Sequence, residues 1–147
     1  MTRNSRPQWA NKKKPVERIG TRDVMPMVLD VCPFYTVTWK KHLDAYDGDE
    51  LLYVALPDLL HTCIDRLAIG SEKQVVSIFQ AIEKLCDLGN EEVRQLIRVS
   101  IFEEFEHIFG EESARFEKYL GPISRILRVE CEQRLVDLPY HRDSLHS

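Results

Sequence analysis

The chain has 147 residues, of which 44% are hydrophobic and 30% charged, with a formal net charge of −4. That size and balance fit one soluble globular domain and exclude a membrane-spanning chain, because no apolar run approaches the roughly 20 residues a bilayer-crossing helix needs. The charge is uneven: residues 1–22 hold seven Lys and Arg against one acid, Glu17, whereas residues 23–147 hold 13 basic and 23 acidic side chains.

Residues 1–20 are polar, contain Pro7 and Pro15, and show no apolar period, so they read as a disordered basic tail with Trp9 as its one large apolar group. The basic start has no apolar stretch behind it, so a secretory leader is not expected. A helix is expected over 23–31, capped by Thr21 or Asp23, with Val24, Met27, Val28 and Val31 on one side and Pro33 ending it. Phe34 to Tyr46 is ambiguous. Thr36, Val37 and Thr38 favour strand, yet Tyr35, Trp39, Leu43 and Tyr46 recur at helical spacing, and that period argues for helix. Asp47-Gly48-Asp49 reads as a turn.

Glu50 to Leu56 is a short apolar stretch before Pro57, which is well placed at the first position of a helix running to about Ile69. Leu59, Leu60, Cys63, Ile64 and Leu67 form its apolar face. The next helix, about 72–87, carries Val75, Ile78, Phe79, Ile82, Leu85 and Cys86 on one side and Lys73, Ser77, Gln80, Lys84 and Asp87 on the other. Ser71 with Gln74 matches a capping box. Ile69-Gly70-Ser71-Glu72 and Leu88-Gly89-Asn90-Glu91 are versions of one phrase 19 residues apart: a helix ended by Gly, a capping oxygen, and an acid in the next first turn.

The helix expected over 91–109 has a stripe that rotates. Val93, Leu96 and Ile97 mark one side early, and Ile101, Phe102, Phe105, Ile108 and Phe109 mark another side later, which places this helix centrally between different neighbours. A short helix follows over 112–119. Gly121-Pro122 opens the last, to about 137, with Ile123, Ile126, Leu127, Cys131 and Leu135 inward. Residues 139–147 read as a frayed end. The expectation is therefore an all-α single domain over 21–138, an antiparallel stack or bundle of six to seven helices, with HEAT-like pairing of helices as one form of it.

Phe79 through Ile82-Glu83, then Gly89-Asn90-Glu91-Glu92-Val93, then Ile101-Phe102-Glu103-Glu104, and finally Leu120-Gly121-Pro122 with Ser124, resemble the motifs of a family of small bacterial helical proteins of unknown function. The resemblance covers about residues 23–135. The chain departs from it in having no tryptophan between Arg128 and Gln133. The resemblance implies an all-helical fold and no catalytic residues. It also implies, through members that look like immunity proteins encoded beside toxins, a protein partner such as a toxin domain.

The candidate chemistry is sparse. Asp58-x-x-His61 and Glu104-x-x-His107, with Glu83 or Glu130 recruited, have the spacing of a di-iron site in a bundle. Glu104 and His107 fall off the apolar stripe, however, and the expectation is no metal and no cofactor. Cys63 and His61, two positions apart, point to different sides of a helix, and neither a nucleophile elbow nor a phosphate loop is present. No enzymatic activity is expected. The four cysteines, Cys32, Cys63, Cys86 and Cys131, lack any CxxC spacing and read as buried reduced thiols of a cytoplasmic protein. Arg94 and Arg98 read as a small basic ridge, either a solvated face or paired within the chain.

Glu103, Glu104, Glu106, Glu111 and Glu112 form the densest acidic patch, the first three near a helix C-terminus where negative charge is unfavourable by about 0.3–1 kcal/mol each. They are the expected contacts for a protein partner, with no membrane role and an open oligomeric state. The alternative is nucleic-acid binding by the tail through Lys12, Lys13, Lys14 and Arg18, which an acidic body would oppose.

Overall fold

The computed structural model describes residues 18–136, with side chains to Gln133. The expectations for the tail upstream of Arg18, for Leu135 and for residues 139–147 lie outside the described residues. Within them the fold is all-α. Its helices are α1 (Val24–Val31), α2 (Thr36–Ala45), α3 (Leu52–Ala55), α4 (Pro57–Ala68), α5 (Glu72–Leu88), α6 (Glu91–Ile97), α7 (Phe105–Phe109), α8 (Ser113–Glu117) and α9 (Pro122–Val136). No helix among the described residues is long and apolar enough to cross a membrane.

α5 is the central rod. It packs against α1, α4, α6 and α9, and all six residues of its expected apolar face are buried. The ambiguous segment is helical: a 3-10 turn over Pro33–Tyr35 leads into α2, with Tyr35 and Trp39 buried. Pro57 occupies the first turn of α4 as its fixed φ favours. An aromatic ladder closes the core beside α5. Phe109 lies parallel to Phe116 at 4.0 Å between ring centroids and meets Phe105 edge-on at 4.7 Å, which ties α7 to α8.

The single helix expected over 91–109 is interrupted. α6 ends at Ile97, a π turn covers Arg98–Phe102, and α7 begins at Phe105. The Glu103 amide reaches back five residues to the Arg98 carbonyl at 2.9 Å. The wide turn takes up one extra residue, so the apolar positions after it are shifted by one along the sequence, which is why the stripe changes sides at 3.6-residue spacing. The two halves meet different neighbours, as the central position requires: α6 packs on α5, the π turn on α9 and α3, and α7 on α4.

The two copies of the repeated phrase fold differently. Gly70 has φ +82°, the left-handed end expected of a helix-stopping glycine. Gly89 is extended, with φ −70° and ψ 147°. Its neighbourhood explains the difference. Ile19 donates to the Leu88 carbonyl at 2.9 Å and accepts from the Asn90 amide at 2.8 Å, a parallel bridge that draws the turn straight. Glycine is needed there because an added Cβ would overlap the Leu85 carbonyl and the Val93 side chain. Asn90 caps α6 by accepting from the Val93 amide at 2.9 Å. Ser71 makes no such bond, so the expected capping box does not form, and neither Thr21 nor Asp23 caps α1 through its side chain.

Two inward positions are corrected. Ile126 is 53% exposed and Ile64 is 37% exposed. On α9 the buried face is Ser124, Leu127, Arg128 and Cys131, one position around from the aliphatic stripe, because polar partners on other helices hold Ser124 and Arg128 inside.

Candidate functional site

Glu83 stands at the junction of α5 and α9. Its carboxylate accepts from the Ile123 amide at 3.0 Å, the Ser124 amide at 2.9 Å and the Ser124 hydroxyl at 2.8 Å. A carboxylate from one helix thus satisfies the free first-turn amides of another, where the positive end of the helix dipole also favours it. Gly121 permits the approach, since a Cβ at that position would overlap the Glu83 carboxylate. The phrases around Ile82-Glu83 and Leu120-Gly121-Pro122 with Ser124, far apart in sequence, are the two halves of this one contact.

Arg128 is a buried cation, its side chain 7% exposed. One terminal nitrogen lies 3.2 Å from Glu106, 3.1 Å from Glu117 and 3.5 Å from Glu132, and the guanidinium sits 4.3 Å from the centre of the Phe105 ring. This joins α7, α8 and α9. Sequence reasoning missed it because Arg128 falls in a polar run with no motif, although its placement one position after Leu127 on α9 is compatible with an inward face.

The five acids of the patch therefore differ. Glu106 belongs to the Arg128 cluster, and Glu112 pairs with Arg115 at 2.8 Å. Glu103 and Glu111 are exposed and Glu104 half-buried, and among the described residues no ion pair or side-chain hydrogen bond holds any of the three. Their only stretch of shared chain is the exit of the π turn, α7 and the 3-10 turn that follows.

Arg94 and Arg98 are paired within the chain. Arg94 donates to the Cys86 carbonyl at 2.9 Å, and Arg98 pairs with Glu91 at 3.0 Å and Glu130 at 3.4 Å. Burial lowers the pKa of Arg98, but the bonds to these two glutamates more than reverse that, and the net shift is upward. Arg18 is exposed, and its guanidinium donates to the Asp87 carbonyl at 2.6 Å. Lys12, Lys13 and Lys14 lie outside the described residues.

The Asp58–His61 and Glu104–His107 pairs are not brought together as a centre. Among the described residues no three His, Cys, Asp or Glu side chains are grouped as metal ligands. Asp58 accepts from the Tyr35 hydroxyl at 3.4 Å, Glu83 is engaged by α9, and Glu130 by Arg98. Asp58 and His61 border an open groove of about 310 Å³ with Asp65 and Arg66. The four cysteines are buried. Burial pushes three of the thiols up, Cys32 to about 11 and Cys86 to about 12, with Cys63 also raised. Thiols so protonated are poor nucleophiles and poor ligands.

A second groove, about 370 Å³ in volume, lies between α1, α5 and the turn before α9, with Val31, Phe79, Tyr119 and the rim residues Gln80 and Lys84 around it.

No curated protein and no solved structure matches this chain. A family model described as Domain of unknown function (DUF7674) matches residues 25–135, the span from α1 to the end of the side chains described for α9 and slightly beyond. Since that match takes in the helical core, including both halves of the Glu83–Ser124 contact, the chain belongs to the DUF7674 family.

Proposed function

We propose that this domain is a non-catalytic protein-interaction module, and more specifically an immunity-type inhibitor whose acidic edge covers a basic surface on a toxin domain. The observation that carries the reading is the division among the acids at the α7 end. Glu106, Glu112 and Glu117 are tied to arginines, whereas Glu103, Glu104 and Glu111, within the same ten-residue stretch or next to it, have no partner among the described residues. Carboxylates of this kind, two exposed and one half-buried, steer a basic partner and reject an acidic one through long-range charge. They do so from a rigid base, since Arg128 and the aromatic ladder hold the helices that present them. Glu106 and Glu112 would contribute at the rim of the contact.

The test is recovery of partners on the immobilised full-length protein from lysate of the source cell, at low and at high salt. A basic protein retained at low salt, released at high salt, and lost when Glu103, Glu104 and Glu111 are all changed to Gln supports the reading. Recovery of no protein at either salt, or of one indifferent to those three changes, overturns it. Nucleic-acid binding by the tail is separated by the same material: if six cations met phosphates, log affinity would fall with log salt at a slope of about −5.

A further inference from the structure

The groove between α1, α5 and the turn before α9 is apolar at its base, where Phe79 and Tyr119 lie 5.5 Å apart with tilted rings, and it is open to solvent along Gln80 and Lys84. The chain that enters the fold beside it is Arg18-Ile19. Ile19 bridges Gly89 in parallel register, which sets Arg18 beside the C-terminal end of α5. There the Arg18 guanidinium donates to the Asp87 carbonyl. From Asp87 back to Gln80 along the helix axis is about 10 Å. Trp9 stands nine residues upstream of Arg18, a length of chain that can span up to about 30 Å. The segment between them carries Lys12, Lys13 and Lys14, and the exposed Asp87 stands on α5 between Arg18 and the groove, with the exposed Asp30 adjacent to Val31.

We propose that the segment upstream of Arg18 lies back along α5 and seats the Trp9 indole in this groove, against Phe79 and Tyr119. Reach, position and charge all favour this occupant. Trp9 is the one large aromatic group in residues 1–17, and an aromatic edge on two existing rings is the packing such a groove accommodates. The inference stands apart from the acidic edge proposed above, which involves α7 and not α5.

The test is fluorine NMR of the full-length protein labelled with 5-fluorotryptophan, which gives one signal from Trp9 and one from Trp39; Trp9→Phe identifies the first. A nitroxide is attached at position 84 through Lys84→Cys, the four native thiols being buried, and for comparison at position 40 through Lys40→Cys. The expected result is loss of the Trp9 signal with the label at position 84 and its retention with the label at position 40, unchanged on dilution. Equal, weak broadening from both positions, with the Trp9 signal at the shift of a solvated indole, overturns the proposal. Broadening that passes between labelled and unlabelled molecules in a mixed sample also overturns it, by assigning the groove to the tail of a second copy. Gln80→Arg, an exposed change that fills the groove mouth, is expected to return the Trp9 signal to the solvated shift without lowering Tm.

Discussion

The Glu83 carboxylate and the Ser124 hydroxyl meet at 2.8 Å across 41 positions of sequence, and the same carboxylate oxygen takes the Ser124 amide at 2.9 Å. A charged acceptor at three partly buried donors is stronger than an ordinary helix cap, and its loss leaves those donors without a partner. Glu83→Ala is therefore expected to lower unfolding free energy by about 2–4 kcal/mol and Ser124→Ala by about 1 kcal/mol. Urea melts of the two variants and the double variant check this. Strict additivity would mean that the two side chains do not act on each other.

Arg128 is surrounded by three carboxylates that are themselves 45–72% exposed. Solvent screens those pairs, so their worth is modest, and much of the residue's contribution is its stem and its face on Phe105. Arg128→Lys is expected to cost about 1–2 kcal/mol, since a lysine cannot lie flat on the ring while reaching three acids. Added salt should shrink only part of that difference. A Lys variant as stable as the native chain at low salt would refute this.

The buried thiols give stability a basic limit. Their ordinary value is 9.0, and the fold raises Cys32 to about 11 and Cys86 to about 12 through burial. The unfolded chain therefore gives up these protons first, so the folded state binds more protons above pH 9. The contribution of these thiols is complete below pH 9 and declines as pH climbs from 9 through 11. Thermal melts from pH 8 to 11 should show Tm falling across that interval, and a thiol reagent at pH 8 should label the native protein only as fast as it opens.

Gly89 and Gly70 should respond differently to alanine. At Gly70 the cost is a strained φ with open space around the new methyl, about 1 kcal/mol. At Gly89 the methyl would strike the Leu85 carbonyl, a backbone atom that cannot rotate away, so Gly89→Ala is expected to exceed Gly70→Ala in a paired denaturant melt.

The triple change of Glu103, Glu104 and Glu111 to Gln should leave unfolding free energy within about 0.5 kcal/mol of native, because it removes no partner. A larger loss in calorimetry would mean that these acids serve the fold, which would weaken their use as contacts.

Much of the architecture was legible in the sequence because it depends on period. Tyr35 and Trp39 overrode the strand preference of Thr36 to Thr38, and all six apolar residues of α5 fell where 3.6 residues per turn puts them. What could not be read there depends on contacts across the chain. Gly89 is extended because Ile19 pairs beside it. Ile126 faces solvent because Arg128 and Ser124 have partners on α5, α7 and α8 that no local pattern reveals. The rotating stripe of 91–109 was visible, but not its cause. Of the acidic candidates, sequence density grouped five residues that the fold divides, since only tertiary neighbours decide which carboxylate already has an arginine.

The wide turn at Arg98–Phe102 has a consequence for lineage. A loop absorbs an inserted residue at its tip, but a helix with both ends packed absorbs it only as a local swelling, which keeps the flanking turns in phase with their neighbours. Deleting one residue between Val99 and Phe102 would close the swelling into an ordinary turn and leave α7 in phase, with Phe105 still beside Arg128 and Phe109 still against Phe116. Relatives shorter by one residue here should therefore keep the aromatic positions that follow.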